Sequence, residues 1–457
     1  MPRLSRRALL IGSASLAATP AMGAIASSGY VDVIIVGAGA AGIAAARKLT
    51  AAGRRIAIVE AADHVGGRCI TDTQTFGVPY DRGAHWIHMP DINPLAKLAA
   101  AARMEVYPAP PGQKLRIGRR FAREGEMEQF LSALVRTNRA IGEAARGKTD
   151  IACARVLPKE LGELRPAVEF VLGPFGCAKD LSDVSAYDFA KSAERDVDAF
   201  CRQGLGALLA RLADGLPIQL STRATTVYWS DRSNAQVETT RGWLRAAAVI
   251  VTVSTAVLTA EKIKFVPALP RRVLDAADRL TLGSYDHVAL ELAGNPLGLQ
   301  SDEMVFEKAT DNRTAAVLGN VSGTSLCLVE VAGRFGASLA AQGEAAMVDF
   351  AIDWLSDLYG PEVKKAVRRR HATNWAKEPL ALGAFSAASV GGQPARRVFM
   401  EPANLRLYFA GEAAHETLWG TVGGAWESGE RAADVILRRF WAPPSSSRPA
   451  RAGRRKR

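Results

Sequence analysis

The chain has 457 residues, of which 48% are hydrophobic and 23% are charged, with 41 glycines and 22 prolines. This is the composition of an ordinary globular protein, and it excludes collagen-like, coiled-coil and wholly disordered chains. The net charge of +12 comes mainly from two ends, 1–26 and 442–457, that hold basic but no acidic residues. The charge therefore does not indicate a nucleic-acid-binding surface on the body of the chain.

Residues 1–26 have the pattern of a signal peptide for the twin-arginine export pathway. Ser5-Arg6-Arg7-Ala8-Leu9-Leu10 opens an apolar run that ends near Ala18, and Ala24-Ile25-Ala26 has the small residues of a cleavage site. The apolar run is shorter than the roughly 20 residues that span a bilayer. The sequence predicts a periplasmic protein without stable membrane insertion. At the other end, 442–457 is predicted to be a disordered basic tail.

The first elements after this pattern form a predicted strand–helix–strand unit. Tyr30–Val36 is a β-branched run typical of a strand buried on both faces. Residues 43–52 are rich in alanine and favour a helix, which Gly53 ends. A second short strand is predicted over 55–59, and it stops at an acidic residue.

Three glycines and one acid place a dinucleotide-binding pattern in this unit. The first glycine permits a tight turn, the second allows the backbone to approach a pyrophosphate, and the third allows helix and strand to pack closely. The N-terminus of the helix attracts the phosphates, and the acid accepts hydrogen bonds from a ribose. These features do not distinguish NAD from FAD. The cofactor-binding residues predicted from this unit are Gly37, Gly39, Ala40, Ala41, Gly42 and Glu60.

The segments after Glu60 resemble the flavin-containing amine oxidases, the group of monoamine oxidases, polyamine oxidases and lysine-specific histone demethylases. The resemblance rests on Gly66-Gly67-Arg68 and on Gly83-Ala84-His85-Trp86-Ile87-His88, and it extends from about Tyr30 to Phe440. It implies FAD as the cofactor. The further cofactor-binding residues that it implies are Ala61, Gly66, Gly67, Arg68, Gly83, Ala84, His85, Trp86, Val227 through its backbone at the adenine, Gly411, Glu412, Thr421 and Val422.

The predicted strands and the resemblance together give the fold class. Three β segments between 224 and 253 form a predicted meander, which in the family packs on the dinucleotide domain. We predict an α/β fold with a Rossmann-type FAD domain of the glutathione-reductase and p-hydroxybenzoate-hydroxylase type and a discontinuous α+β substrate domain. The predicted FAD-binding domain comprises 27–85, 205–260 and 395–441, and the predicted substrate domain comprises 86–204 and 261–394.

A second glycine-rich turn lies near the C-terminus. Residues 405–410 predict a strand, Gly411-Glu412 a turn, and Thr421-Val422 the start of a helix that continues to Ile436. The resemblance implies that Glu412 meets the ribityl and pyrophosphate region of FAD. It also implies that the helix N-terminus points at the flavin, where its positive end stabilises the negative charge of the reduced ring.

The resemblance also implies the residues on the amine side of the site. Trp375 and the segment Gly383-Ala384-Phe385-Ser386 match the aromatic blocks of the family, so Phe385 and Thr421 are expected on opposite sides of the amine. His88 has the position of a histidine that lies near the bound amine in animal polyamine oxidases. Ala384 replaces the cysteine that attaches the flavin in monoamine oxidases, which predicts non-covalent FAD. The spacing of cysteines and histidines predicts no metal site.

The main departure from the family pattern is His287. Most members have a lysine at this position, and it holds a water at the reactive nitrogen of the flavin; the nearest lysines here are Lys264 and Lys308. A neutral imidazole could hold that water or act as a base. The loss of the lysine predicts slow reaction with oxygen. The expected electron acceptor is therefore either oxygen or a periplasmic carrier.

The sequence thus predicts an FAD-dependent enzyme that oxidises the C–N bond of a small amine, polyamine-like or another primary or secondary amine, to an imine. Two alternatives stay open. One is an L-amino-acid oxidase or a tryptophan 2-monooxygenase-like enzyme, whose substrate carboxylate needs an arginine, with Arg116, Arg119 and Arg313 as candidates. The other is a flavin-binding interaction protein without turnover.

Overall fold

The computed structural model describes residues 29–192, 197–230 and 233–441, so the predicted signal peptide and basic tail lie outside the described residues. The strands are β1 (Tyr30–Val36), β2 (Ile56–Val59), β3 (Thr71–Asp72), β4 (Tyr80–Asp81), β5 (Ile87–His88), β6 (Val106–Pro108), β7 (Lys114–Ile117), β8 (Arg120–Phe121), β9 (Asp198–Cys201), β10 (Ile218–Gln219), β11 (Ala224–Tyr228), β12 (Ala235–Thr239), β13 (Gly242–Val251), β14 (Lys264–Val266), β15 (Tyr285–Leu292), β16 (Glu303–Glu307), β17 (Ala316–Gly319), β18 (Leu326–Ala332), β19 (Val367–Ala372) and β20 (Leu407–Phe409). The α-helices are α1 (Ala40–Ala51), α2 (Pro94–Ala101), α3 (Glu124–Ala144), α4 (Arg165–Phe170), α5 (Ala186–Lys191), α6 (Leu205–Leu212), α7 (Thr255–Thr259), α8 (Arg271–Arg279), α9 (Gly333–Gln342), α10 (Glu344–Tyr359), α11 (Glu362–Ala366), α12 (Ala395–Met400) and α13 (Val422–Trp441). Short helical turns lie at Cys153–Val156, Lys159–Leu164, Val171–Phe175, Val321–Gly323 and Glu412–Ala414.

An eight-stranded sheet forms the dinucleotide-binding half of the fold. Its strands run in the order β10-β2-β1-β13-β12-β11-β14, and β20 pairs with the C-terminal part of β13. β1 is parallel to both β2 and β13, whereas β11, β12 and β13 form an antiparallel meander. Ile34 and Ile35 in β1 are fully buried on opposite faces, which explains the unbroken apolar run. The predicted strand–helix–strand unit and the predicted meander are both confirmed.

α1 packs tightly on β1 because Gly42 has no side chain. A Cβ atom at this position would lie 2.0 Å from the carbonyl oxygen of Gly37, a distance that no real contact allows. On its other side α1 packs against α13, where Ile43 and Trp426 belong to the same buried core. The third glycine of the pattern therefore acts through packing, as predicted.

A seven-stranded sheet forms the second half, in the order β19-β15-β18-β17-β16-β7-β8. It is antiparallel from β19 to β16, and β7 joins β16 in parallel. α9 and α10 cover one face through residues such as Met347 and Leu355, while the other face contributes Phe306 and Leu328 to a separate core with α3. Both faces are buried, so β18 is apolar at every position except Glu330.

One strand differs from the predicted domain division. β14 pairs with β11 in the first sheet, so this sheet continues past the boundary predicted at residue 260. Sequence alternation could not show this pairing, because β14 has only three residues.

The helices of the described ranges are short or amphipathic. α3, with 21 residues, buries Phe130, Leu134 and Ile141 along one stripe and exposes charged residues on its other side. No helix in these ranges combines the length and the apolar character that a membrane span needs. All five cysteines are buried.

Candidate active site

A large cavity connects the two sheets. Its volume is about 1310 Å³, and it is lined by the β1–α1 turn and Glu60 at one end and by Tyr285, His287 and Phe385 at the other. Sites for single drug-sized ligands typically have roughly 300–1,000 Å³. The cavity therefore has room for a dinucleotide together with a small substrate.

The β1–α1 end of the cavity has the features of a pyrophosphate and ribose site. Gly39, Ala40 and Ala41 line it at the N-terminus of α1, where backbone N–H groups lack helical partners. Glu60, only 8% exposed, accepts hydrogen bonds from the amides of Ala38 (2.7 Å) and Ala62 (2.8 Å). Its carboxylate is thus fixed at the cavity wall, as a ribose-binding acid requires.

Val227, which is predicted to meet the adenine through its backbone, does not line the cavity. Val227 is fully buried, and its backbone lies between Val237 of β12 and Phe265 of β14 in the middle of β11. The residues of this region that line the cavity are Arg223 and Ala224, at the start of the strand. The end of a strand is open to a cavity, whereas its middle is enclosed by its two neighbours.

Arg68 and Glu412 clamp the segment that contains Phe385. Arg68 donates from Nη1 to the carbonyl oxygen of Ala384 (2.6 Å) and to Glu412 (3.0 Å). Glu412 accepts in turn from the hydroxyl of Ser386 (2.7 Å) and from the amide of Gly420 (3.1 Å). Glu412 lines the cavity, and these bonds to the protein occupy its carboxylate and hold the Phe385 segment in place.

A fully buried ion pair supports this clamp from behind. Arg396 donates from Nε and Nη2 to the two carboxylate oxygens of Asp188 (2.6 and 2.7 Å), and both side chains are 0% exposed. Arg396 also donates to the hydroxyl of Ser386 (3.3 Å), and its guanidinium carbon lies 4.8 Å from the centre of the Trp419 ring. The aromatic residues at this end are therefore anchored to buried charge.

Gly83 provides a flat wall. A Cβ atom there would lie 2.0 Å from the carbonyl oxygen of Arg68 and 2.7 Å from Cζ2 of Trp375. Trp375 is buried and donates from Nε1 to the carbonyl oxygen of Arg82 (3.2 Å). Because all three line the cavity, Gly83, Trp375 and Arg82 form one surface against which a ring system can lie.

Thr421 caps α13. Its hydroxyl donates to the carbonyl oxygen of Leu418 (2.7 Å) and accepts from the amide of Gly424 (2.9 Å). Thr421 and Val422 both line the cavity, so the N-terminus of α13 opens into it as predicted. The hydroxyl of Thr421 is therefore engaged in capping the helix.

Aromatic rings enclose the far end of the cavity. The ring centres of Phe385 and Tyr285 are 5.9 Å apart, and those of Tyr285 and Phe175 are 6.0 Å apart. Phe306 packs edge-on against Phe175 at 4.9 Å, and Trp419, 1% exposed, completes the wall. This end is therefore apolar and sheltered from water.

His88 is paired with an acid at the cavity surface. Its Nδ1 lies 2.6 Å from Oδ1 of Asp198, the residue opposite it in the pairing of β5 with β9. The two side chains are 23% and 22% exposed, and both residues line the cavity. Asn93 donates to the carbonyl oxygen of His88 (2.8 Å) and holds its backbone.

His287 lies in a buried group of titratable side chains. It is 5% exposed, its Nδ1 is 3.2 Å from the carbonyl oxygen of Asp81, and its Nε2 is 3.9 Å from Oε1 of Glu330. Burial and the nearby His85 lower the pKa of His287 to about 4. The ring is neutral at pH 7, so it does not replace the positive charge of the family lysine.

The structure brings nearly all predicted site residues to one cavity. Of the predicted set, Gly42 and Val227 do not line it; Gly42 acts through packing, whereas the β11 residue that lines the cavity is Ala224. Among the residues that the sequence did not single out, Tyr285 and Asp198 line the cavity and Glu330 lies directly behind His287. Glu330 is the one acidic residue in the apolar run 326–332, and this pattern could have indicated a buried functional acid.

Comparison with known proteins identifies the family. Residues 40–437 match the family described as flavin containing amine oxidoreductase. This match covers well over half of the chain, so the chain belongs to the flavin-containing amine oxidoreductases. The site residues fit FAD, which we take as the non-covalently bound cofactor because Ala384 offers no attachment point.

Curated relatives are distant in sequence. Polyamine oxidase 4 of Oryza sativa subsp. japonica is 26% identical, over 90% of this chain and 89% of its own length. Lysine-specific histone demethylase 1 homolog 2 of Arabidopsis thaliana is 26% identical over 89% of this chain, but the match spans only 58% of that relative. The chain thus spans little more than half of the demethylase homologue.

Solved structures share the fold. Putrescine oxidase bound to putrescine has a TM-score of 0.76 at 20% identity, over 90% of this chain and 99% of that one. Cyclohexylamine oxidase from Brevibacterium oxydans has a TM-score of 0.75 at 22% identity, over 89% and 99%. The FAD-binding Rossmann-type fold with a substrate domain is thereby confirmed.

Proposed function

We propose that this protein oxidises a small amine to an imine, which water then hydrolyses to a carbonyl compound and a free amine. The α-carbon of the amine loses a hydride, FAD when bound accepts it, and the amine nitrogen loses a proton. The observation that supports this proposal best is the sheltered aromatic end of the cavity, with Phe385, Trp419 and Tyr285 as its walls. Such walls fix the amine and keep water from the iminium as it forms.

We propose further that the amine has an apolar substituent. The side of the cavity away from Glu60 is lined by Met127, Leu131, Leu172, Phe175 and Phe189. A polyamine would need an acid for its second ammonium group, and two acids line this side. Asp302 already accepts from Tyr107, Ser301 and the amide of Ser322, whereas Asp198 is paired with His88.

Asp198→Asn separates the two substrate types. If the amine is apolar and singly charged, this substitution changes KM little. If polyamines are the substrates, the loss of the carboxylate raises KM for polyamines by about tenfold or more, while KM for monoamines stays the same. Asp302→Asn serves as a comparison, because it removes a carboxylate that the protein itself already uses.

An amino-acid substrate has less support. Arg116 donates to the carbonyl oxygen of Leu358 and packs on Tyr359, Arg119 is exposed beside Asp357, and Arg313 lies over Phe335. None of the three lines the cavity. Among the described residues, the arginines that do line it are Arg68, Arg82 and Arg223, all near the predicted cofactor segments.

An anaerobic screen of amines and amino acids, followed by flavin absorbance, tests the proposal. Bleaching of the flavin by an apolar monoamine, with the matching aldehyde or ketone as product, is the expected result. If only amino acids bleach the flavin, the protein is better explained as an L-amino-acid oxidase. If none of the compounds bleaches it, a flavin-binding interaction protein without turnover is favoured. Phe385→Ala is expected to slow bleaching without releasing FAD.

We also propose, from residues 1–26 alone, that the protein is exported by the twin-arginine pathway and works in the periplasm with oxygen or a carrier as acceptor. Replacement of Arg6 and Arg7 by lysine is expected to leave the protein in the cytoplasm. Cell fractionation measures this. Equal amounts of both forms in the periplasm would reject the proposal.

A further inference from the structure

Glu330 is a buried carboxyl group in an otherwise apolar strand. Its side chain is 1% exposed, and it faces His287 across the pairing of β15 with β18. Oε2 accepts a hydrogen bond from the hydroxyl of Tyr285. Oε1 has no hydrogen-bond partner within the described ranges and lies 3.9 Å from Nε2 of His287. A buried carboxylate with an unpaired oxygen is strongly unfavourable, so this group needs a proton or a partner.

The other ring nitrogen of His287 fixes its tautomer. Nδ1 lies 3.2 Å from the carbonyl oxygen of Asp81, and a carbonyl oxygen can only accept. Nδ1 therefore carries the hydrogen, and a neutral His287 has a bare Nε2 toward Glu330. Two bare acceptors 3.9 Å apart repel each other in a buried site, and a proton on one of them removes this repulsion.

The neighbouring titratable groups already form hydrogen bonds to other partners. His85 has its Nδ1 3.1 Å from Oδ2 of Asp81, and its Nε2 has no hydrogen-bond partner in this part of the structure. Asp81 is also held by the amide of Leu205 (2.9 Å). The hydroxyl of Tyr285 donates its only hydrogen to Glu330.

The group next to His287 in β15 faces away from this cluster. Asp286 accepts from the hydroxyl of Thr373 (3.0 Å) and from the amide of Trp375 (2.9 Å). The hydroxyl of Thr373 in turn accepts from the backbone N–H of His287 (3.0 Å). None of the hydrogen bonds of these neighbours involves Nε2 of His287 or Oε1 of Glu330.

We infer that Glu330 is a positioning residue that acts through His287: Glu330 carries the single proton of the pair, which lets the buried His287 ring stay neutral and oriented at the cavity wall. In this arrangement a neutral pair stands where related oxidases have a lysine, and the pair becomes negative when Glu330 loses its proton. The inference rests on the proposed function and deepens it, because His287 lines the same cavity.

The pKa values support the assignment of the proton. Burial raises the pKa of Glu330 to about 7, against the opposing effect of the hydrogen bond from Tyr285, and burial lowers the pKa of His287 to about 4. The proton therefore belongs to Glu330, which donates it toward Nε2. Since the pKa of this acid is raised, the proton is present below about pH 7 and is lost as the pH rises through that value.

Infrared difference spectroscopy on the FAD-loaded protein with isotope-labelled glutamate tests the inference. Between about pH 5 and about pH 9 the wild type is expected to show a protonated carboxyl band that disappears near pH 7, and Glu330→Gln is expected to lack it. Glu303→Gln is the matched control, because Glu303 lies in the same sheet but is paired with Lys114 (2.6 Å). A band that survives in Glu330→Gln, or no band above pH 5, overturns the inference.

A second measurement follows the effect on the flavin. The reduction potential of the bound flavin is expected to change its pH dependence near pH 7 in the wild type and to lack this break in Glu330→Gln. Glutamine keeps a donor for Nε2 and an acceptor for Tyr285, so this variant is expected to fold. An unchanged break in Glu330→Gln contradicts the inference. Neither measurement needs turnover, so a failure of the proposed amine chemistry would show only in the substrate screen.

Discussion

Replacing Glu60 by glutamine tests the cofactor site at its most specific point. The carboxylate of Glu60 accepts from the amides of Ala38 at 2.7 Å and Ala62 at 2.8 Å, with one oxygen for each. Glutamine offers a single carbonyl oxygen, so its NH₂ group must face one of these N–H donors. The substitution therefore loses one internal hydrogen bond and also a charged acceptor for the ribose.

The expected loss of FAD affinity follows from these bonds. A hydrogen bond to a charged group contributes about 1.5–3 kcal/mol, and Glu60 is buried enough that solvent does not weaken it. Loss of one such bond to the ribose raises the Kd of FAD by about 10- to 150-fold. Loss of the hydrogen bond from a backbone amide to residue 60 also lowers the free energy of unfolding of the protein without FAD, by a smaller amount.

Titration of FAD into the apoprotein, followed by flavin fluorescence, measures this change. Asp434→Asn is the matched control, because Asp434 is a half-exposed carboxylate on α13 that pairs with Lys48 at 2.8 Å and does not line the cavity. Its Kd for FAD is expected to equal that of the wild type. Wild-type affinity in Glu60→Gln would mean that the acid does not contact the ribose, and the dinucleotide would have to lie differently in the cavity.

Three further predictions use other parts of the site. Acid precipitation is expected to release intact FAD, because Ala384 offers no attachment; flavin that stays with the polypeptide contradicts this. Arg396→Met leaves Asp188 buried without its partner and should lower the free energy of unfolding in urea by about 3–5 kcal/mol, whereas Arg271→Met, at an exposed ion pair, should change little. His287→Lys should accelerate reoxidation of the flavin by oxygen more than its reduction by amine. Stopped flow measures both steps, and a substitution that leaves both rates unchanged would place His287 away from the flavin.

Local patterns were enough to predict the dinucleotide-binding half. The glycines between β1 and α1 are close in sequence, and each satisfies a backbone requirement that a side chain would violate, as the 2.0 Å approach at Gly42 shows. The N-terminus of α13 was predictable for the same reason. The sequence did not predict that Thr421 caps this helix, because the cap depends on a bond from its hydroxyl to Leu418 in the preceding turn.

The remaining site depends on pairings that are distant in sequence. Glu330 meets His287 only because β18 lies beside β15 in register, and alternation within one strand does not reveal its partner. Ala224 lines the cavity and Val227 does not, because β11 is enclosed on both sides at its centre. The strand itself was predicted correctly, but not which end of it reaches the cavity.

The clamp around Phe385 joins parts of the chain that the ribosome synthesises at widely separated times. Arg68 bonds to Ala384 and Glu412, which follow it by 316 and 344 residues, and Asp188 bonds to Arg396, 208 residues later. A ribosome must therefore finish nearly the whole chain before the cofactor site can close. Prematurely terminated chains cannot retain FAD and keep apolar core surface exposed, which makes flavin content a direct readout of complete synthesis and folding.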